Sequence, residues 1–286
     1  MAARSSAKAL PPSAISPLLA WILIVGGVGT AMGWVALGQI LGATITIENM
    51  GAAMALYYAI LFVPLLVLAW ILGKIGRIPV LRAGNAPGNW AAIGFGLGAA
   101  GFLVTAGYSW LNGGLVPGDP ASGMSGLVAA GVVLTLVQVG TEEMLFRGWL
   151  QPALAQRLGA PAALLVGAAI FAAFHIPAGA TSPMSLINLM AGGLWFGLLT
   201  LRSGGLVAPL LAHFAWNAIE DLGFGLTPNP GAGPLGSLMN WDLLGQTLWG
   251  ATEAGLNDSV GTTVVLAALI LPLLRSKTPQ AQPAAA

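Results

Sequence analysis

Long stretches without a single charged residue constrain the fold of this chain more than any other feature. No Asp, Glu, Lys or Arg occurs in residues 9–47, 83–118 or 158–201. Only 7% of the 286 residues are charged and 57% are hydrophobic, whereas a soluble domain carries roughly 25% charged residues. A run of about 20 apolar residues is long enough to cross a bilayer as a helix. The sequence therefore predicts an all-α, polytopic membrane protein.

About eight transmembrane helices are predicted, and the charges between them support that number. The predicted spans are 16–41, 51–73, 89–111, 125–150, 160–177, 184–201, 205–220 and 259–274. With a cytoplasmic N-terminus, every Lys and Arg except Arg147 falls on the cytoplasmic side, as the positive-inside rule requires. Every acidic residue except Glu142 and Glu143 falls on the other side. We therefore expect an integral membrane protein with both termini in the cytoplasm. Its Ala- and Gly-rich composition suggests a bacterial inner membrane.

The predicted organisation is one membrane domain between two short terminal segments. Residues 1–15 are expected to be a cytoplasmic N-terminal segment and residues 275–286 a disordered cytoplasmic tail rich in Pro, Ala and Gln. Residues 16–274 form a single transmembrane helical domain, with a catalytic core at about 125–220. Part of the long Gly- and Pro-rich loop, residues 241–249, is expected to form a short interfacial helix.

Two adjacent carboxylates and an arginine lie within the fourth span, in Thr141-Glu-Glu-Met-Leu-Phe-Arg147. Glu143 and Arg147 are four residues apart, so they share a helix face and can form an ion pair. Glu142 points about 100° away from them. A carboxylate in an apolar site binds a proton more readily, which makes Glu142 a candidate general base for water. Intramembrane ionisable residues generally indicate function, although a structural ion pair also explains Glu143 and Arg147.

The two histidines of the chain lie in two further apolar stretches. His175 follows Phe171 by four residues, so an aromatic ring shares its helix face. It is a candidate to hold the attacking water with Glu142 or to protonate a leaving amine. His213 and Asn217 are also four apart, and two such donors can stabilise an oxyanion. The alternative roles are a packed histidine at a helix end and polar inter-helix contacts.

The hairpin between the fourth and fifth spans predicts that these motifs meet. Glu142 lies 17 residues before Gly159 and His175 lies 16 residues after it. Both are thus ~24–26 Å of helix from the turn. Because part of residues 151–158 is expected to lie along the interface, the motifs are predicted to meet in the cytoplasmic half of the bundle.

Two other chemistries remain to be weighed. Zinc accepts nitrogen and oxygen ligands, so Glu142, His175 and His213 are the ligands of a zinc-dependent alternative. No His-Glu-x-x-His motif is present, and the main expectation is therefore that no metal or other cofactor is needed.

Gly123-Met-Ser-Gly126 resembles a serine-protease motif. Ser125 lies ~25 Å along the same helix from Glu142, so that motif is rejected. The absence of cysteine excludes a cysteine nucleophile.

The three motifs together resemble those of the CPBP family of intramembrane proteases, which includes the type II CAAX prenyl endopeptidases and bacterial self-immunity relatives. The family pattern is Glu-Glu-x-x-x-Arg, Phe-x-x-x-His and His-x-x-x-Asn. All three occur here in order, at Glu142–Arg147, Phe171–His175 and His213–Asn217. The resemblance covers about Val128–Glu220. It implies an eight-helix endopeptidase with a cytosol-facing cavity.

The resemblance also implies roles for the motif residues. Glu142 and His175 would activate water, His213 and Asn217 would hold the oxyanion, and Glu143, Arg147 and Phe171 would support the site. The expected partners are a membrane-associated peptide or protein substrate and the lipid bilayer, with no nucleic acid. A proton-coupled transporter and a non-catalytic membrane scaffold are the alternatives to an enzyme.

Overall fold

The computed structural model describes residues 15–118, 127–226, 235–244, 252 and 255–275. Within these ranges the chain forms eight helical rods and almost no sheet, which confirms the all-α polytopic fold. Five rods are long and apolar enough to cross a membrane. The terminal segments 1–14 and 276–286 and the rejected Ser125 lie outside the described residues.

The helices follow the predicted spans closely. They are α1 (Pro17–Gly42), α2 (Met50–Gly76), α3 (Pro87–Leu111), α4 (Val128–Glu143), α5 (Gln151–Leu158), α6 (Ala160–Ala173), α7 (Pro183–Ser203), α8 (Val207–Ala218) and α9 (Val260–Arg275). A π-helical turn, Met144–Leu150, joins α4 to α5, so these three elements form one rod, Val128–Leu158. A second π-helical turn, Ile219–Gly223, extends α8.

Local sequence signals set the ends of several helices. The side chains of Ser16 and Asn49 accept hydrogen bonds from the first turns of α1 and α2, as N-cap residues do. Gly159 and Gly204 follow α5 and α7 with φ of 80° and 77°. Such positive φ values suit glycine, which has no Cβ to clash with the backbone. The glycine at position 159 is therefore a local signal in the sequence that predicts the turn after α5.

The two ends of the bundle differ in charge. We define the basic end as the end that carries the described lysines and arginines other than Arg147. These are Lys74, Arg77, Arg82, Arg157, Arg202 and Arg275. The opposite, acidic end carries Glu48, Asp242 and Asp258. At the basic end, the Asn85 N–H donates to the Ser203 carbonyl (2.8 Å) and the Leu206 N–H donates to the Arg82 carbonyl (2.7 Å). The segment between α2 and α3 is thereby fixed to the segment between α7 and α8.

Two short strands lie at the acidic end. β1 (Leu115–Pro117) pairs antiparallel with β2 (Trp241–Leu243). The expected interfacial helix at 241–249 is therefore wrong for Trp241–Leu243; residues 245–249 are outside the described chain. The backbone groups of β2 are hydrogen-bonded to β1, which lies more than 120 residues earlier in the chain. A local hydrophobic pattern does not reveal such a distant pairing.

Glycines of α3 bring α8 close to it. At Gly94 and Gly98, an added Cβ would overlap the backbone of Ala208 and Ala212. Small residues four apart allow helix backbones in a membrane to approach in this way. The contact fixes the position of α8, which carries His213 and Asn217.

Candidate active site

A buried ion pair occupies the centre of the site. Arg147 Nη1 lies 2.9 Å from Glu143 Oε1, as the four-residue spacing predicted, and both side chains are buried. Arg147 Nη2 also donates to the Gly193 carbonyl of α7 at 3.1 Å. A buried charge is tolerated only when it is paired and hydrogen-bonded, and these contacts meet that condition.

Aromatic rings surround the Arg147 guanidinium. Its central carbon lies 4.5 Å from the ring centroid of Phe171, 5.2 Å from that of Phe196 and 5.7 Å from that of Phe146. Cations are attracted to the faces of such rings. One side chain thus holds α6 and α7 against the Val128–Leu158 rod. Phe171, predicted as a supporting residue, contributes one of these three rings.

His213 lies between the two glutamates. Its Nδ1 is 3.0 Å from Glu143 Oε1, and its Nε2 is 3.9 Å from Glu142 Oε2. The ring stacks on Phe196 with centroids 4.5 Å apart. With Glu143 ionised, the carboxylate accepts and Nδ1 carries the proton. His213 Nε2 can then donate a hydrogen bond only as the doubly protonated imidazolium, a condition that the sequence did not reveal.

His175 has a backbone partner that fixes its tautomer. Its Nδ1 is 2.9 Å from the Phe171 carbonyl oxygen. Because a carbonyl only accepts, Nδ1 must donate and the neutral ring keeps a lone pair on Nε2. That nitrogen can accept a proton or a hydrogen bond from water.

Glu142 lines a cavity between α1, α2 and the Val128–Leu158 rod, which we call the Glu142 cavity. Glu142 Oε1 accepts a hydrogen bond from Gln138 Nε2 at 3.3 Å. Glu142 Oε2 is buried and has no hydrogen-bond partner. His175 lines the same cavity.

Asn217 lines a second cavity, which we call the Asn217 cavity; His213 and His175 line it too. Asn217 Nδ2 is buried and has no hydrogen-bond partner. His175 borders both cavities, and His213 of the Asn217 cavity lies 3.9 Å from Glu142 of the other, between Nε2 and Oε2. All seven residues predicted for the site are therefore gathered in one region of the bundle.

The depth of the site differs from the sequence prediction. Glu142 lies in the middle of the Val128–Leu158 rod, and His175 lies beyond Ala173, the last residue of α6. The facing residues of α1, Val35 and Gln39, belong to its second half. The motifs therefore meet between the middle of the bundle and its acidic end. Residues 151–158 continue the Val128–Leu158 rod as helix.

The zinc-dependent alternative has little geometric support. In the described part of the chain, no three His, Asp or Glu side chains are arranged to hold a metal ion. Glu143, which is not one of the expected ligands, is the closer carboxylate to His213. Glu142, His175 and His213 are not arranged as a three-ligand group among the described residues, and metal dependence stays a prediction to be tested.

Sequence reasoning missed several residues of the site. Gln138 bonds Glu142 and lies near the Tyr58 hydroxyl, at 3.4 Å. Gln138 precedes Glu142 by four residues, and this spacing was a usable signal. Tyr58 and Phe196 gave no such signal, because an aromatic residue in an apolar helix is indistinguishable from ordinary core.

Comparison with protein families supports the resemblance. Residues 124–219 match a family model described as type II CAAX prenyl endopeptidase, Rce1-like. The match spans about a third of the chain and contains all three motifs. It confirms the predicted resemblance to the CPBP proteases. No curated protein matches the chain.

Proposed function

We propose that the chain, whose residues 124–219 match the Rce1-like type II CAAX prenyl endopeptidase family model, hydrolyses a peptide bond of a membrane-associated peptide or protein. One observation carries this proposal. Glu142 Oε2 and Asn217 Nδ2, on two different helices, are both buried without a hydrogen-bond partner. An unsatisfied buried polar group costs about 1–3 kcal/mol. Water and substrate are the partners that these atoms lack.

The attacking water is activated by Glu142 and His175. Glu142 Oε2 takes one proton of the water, while His175 Nε2 accepts a hydrogen bond from the other. The water oxygen then forms a bond to the scissile carbonyl carbon. The electron pair of the C=O double bond moves to its oxygen, which becomes an oxyanion. Apolar walls around Glu142, including Leu145 and Phe146, keep bulk water away and strengthen these interactions.

His213 and Asn217 stabilise the oxyanion. Asn217 donates through Nδ2, and the imidazolium of His213 donates through Nε2, while Glu143 holds its Nδ1–H. Preorganised donors of this kind stabilise the transition state more than the substrate. The C–N bond then breaks, and the proton held by Glu142 passes to the leaving amine. Atoms and charge balance without a metal ion or another cofactor.

The decisive experiment compares membranes that carry the wild type with membranes that carry Glu142→Gln. Peptides released or shortened are identified by mass spectrometry, with and without a chelator. We expect Glu142→Gln to lower the cleavage rate by about 10²–10⁴-fold, as loss of a general base does. A chelator is expected to leave cleavage by the wild type unchanged.

Glu48→Gln is the matched control, because it removes an exposed carboxylate that lines neither cavity. Its products should equal those of the wild type. Cleavage that persists in Glu142→Gln contradicts the proposal and favours a scaffold or transporter. Cleavage that stops with chelator and returns with zinc replaces the glutamate mechanism by the zinc-dependent one.

A further inference from the structure

One indole N–H at the site has no partner. Trp195, on α7, is 0% exposed, and its Nε1 has no hydrogen-bond partner among the described residues. The N–H of a buried tryptophan usually has one. Trp34 is an example, because its Nε1 donates to the Ile60 carbonyl oxygen at 3.0 Å. An unsatisfied buried donor is destabilising, so Trp195 indicates a ligand that accepts its hydrogen bond.

Trp195 lines the Asn217 cavity, and contacts on both sides of it in the sequence fix its position. Two residues earlier, the Gly193 carbonyl accepts a hydrogen bond from Arg147 at 3.1 Å. The following residue, Phe196, stacks on His213. α7 is therefore held against the catalytic residues, and the Trp195 indole lines the same cavity as the proposed oxyanion donors.

The free polar groups of this cavity are hydrogen-bond donors. Asn217 Nδ2, like Trp195 Nε1, is buried and has no partner in the described part of the chain. Asn188 also lines the cavity, but its amide is occupied. Its Nδ2 donates to two backbone carbonyls, and its Oδ1 accepts from the Thr263 hydroxyl at 2.7 Å. No described Asp or Glu lines the cavity. A ligand that accepts hydrogen bonds therefore matches the lining.

We propose that Trp195 Nε1 donates a hydrogen bond to a second peptide carbonyl of the substrate, next to the carbonyl that is attacked. This inference rests on the proposed function, in which Asn217 holds the oxyanion. Successive residues of an extended peptide are about 3.3 Å apart, so a neighbouring carbonyl enters the cavity with the scissile one. The ligand is a neutral carbonyl, because a buried anion is costly unless paired and a charge on His213 is already balanced by Glu143 at 3.0 Å.

This second carbonyl gives Trp195 a role distinct from that of Asn217. No bond to the neighbouring carbonyl forms or breaks, so its charge stays the same during the reaction. The hydrogen bond from Trp195 is therefore equally strong in the bound substrate and in the transition state. Binding of that kind lowers KM and leaves kcat unchanged. Trp195 thus fixes the register of the peptide in the site.

Nuclear magnetic resonance of the indole N–H groups tests the hydrogen bond directly. Glu142→Gln protein, isotope-labelled in its tryptophan indoles, is titrated in detergent with acetyl-trileucine amide, a neutral peptide. The resonances are assigned by their loss in Trp195→Phe and Trp34→Phe. We expect the Trp195 indole proton to move downfield as the peptide binds. The Trp34 proton, which already has a partner, should stay in place.

Kinetics test the same contact in the active protein. Benzothienylalanine in place of Trp195 keeps the shape of the side chain and replaces the N–H by sulfur. With a peptide substrate identified by mass spectrometry, KM should rise by about 2–10-fold, as loss of one hydrogen bond to a neutral partner does, while kcat stays the same. The thermal unfolding midpoint should not fall, because this N–H has no partner among the described residues.

The same replacement at Trp34 is the matched control. It removes the hydrogen bond to Ile60 and should lower the unfolding midpoint without changing KM. An unmoved Trp195 resonance, an unchanged KM or a lower midpoint of the Trp195 replacement overturns the inference. Cleavage that depends on Glu142 together with any of these results leaves the proposed function intact. A shifted Trp195 resonance without Glu142-dependent cleavage rejects the proposed function and retains the peptide site.

Discussion

At the scale of single residues, the two adjacent glutamates have different surroundings. Glu143 is buried against Arg147 and His213, whereas Glu142 contacts Gln138 and borders a cavity. The sequence predicted the Glu143–Arg147 pair because both residues lie on one helix. It did not predict the Glu143–His213 contact, which depends on how α4 and α8 are rotated relative to each other.

This difference predicts opposite phenotypes for two identical substitutions. Glu143→Gln leaves the Arg147 charge buried without its carboxylate, and breaking a buried pair costs about 3–5 kcal/mol. Glu142→Gln keeps a polar group of the same shape and breaks no ion pair with Arg147. We expect Glu143→Gln to lower the thermal unfolding midpoint in detergent, and Glu142→Gln to keep it while losing activity. Equal midpoints would contradict the structural role of Glu143.

Asn217 leads to a second prediction at this scale. Because its Nδ2 has no hydrogen-bond partner, Asn217→Ala should change stability little. Loss of one oxyanion donor should lower kcat by about 10²–10³-fold and leave KM nearly unchanged. Steady-state kinetics with an identified peptide substrate measure both constants. Asn112→Ala, at the exposed end of α3, is the control, and a change in KM alone would argue against the oxyanion role.

At the scale of helices, the hydrophobic pattern predicts the transmembrane rods. It does not predict the π-helical turn within one rod or the strand pair at the acidic end. The eight spans agree with the structure because apolar length and turn residues are local properties. The π-helical turn Met144–Leu150 and the β1–β2 pair were not predicted. π-Helical turns are often found at functional sites, and this one directly follows Glu143. Both features depend on contacts between distant segments.

The α3–α8 contact predicts a matched pair of glycine substitutions. A Cβ at Gly98 would overlap the Ala212 backbone, whereas nothing lies within 4 Å of a Cβ at Gly96. Gly98→Ala should separate α3 from α8 and displace His213, with a loss of about 1–3 kcal/mol as in overpacked cores. Gly96→Ala should be neutral or stabilising by up to about 1 kcal/mol.

Thermal unfolding and cleavage rate measured on both glycine variants test this prediction. Reduced activity in Gly98→Ala with wild-type activity in Gly96→Ala is the expected pair of results. Equal behaviour of the two variants would show that α3 does not position α8.

At the scale of the whole molecule, the lipid-facing surface is apolar and flanked by tryptophans. Val63, midway along α2, is 49% exposed, and Leu111, at the end of α3, is 77% exposed and adjoins the exposed Trp110. Tryptophan prefers the membrane interface. We therefore assign Val63 to the hydrocarbon region and Leu111 to the interface. Composition alone predicted a membrane protein but not which residues face lipid.

A lysine at each of these positions tests the assignment. Lysine at the centre of a membrane helix costs about 2.5–3.5 kcal/mol of insertion free energy, whereas a lysine near a helix end extends to the interface. Val63→Lys should reduce the amount of protein recovered in the membrane fraction, and Leu111→Lys should not. Equal recovery of both would place the bilayer elsewhere on the bundle.

The contacts of Arg147 tie several helices of the bundle together. This one guanidinium touches α6 and α7, and its carboxylate partner touches α8, so these helices cannot slide past the Val128–Leu158 rod separately. At the Glu142 cavity, the Tyr58 hydroxyl of α2 donates a longer hydrogen bond, of 3.4 Å, to Gln138 Oε1 of that rod. The wall of the cavity that α1 and α2 form is therefore held to the catalytic frame by a weaker polar contact than the wall formed by α6, α7 and α8.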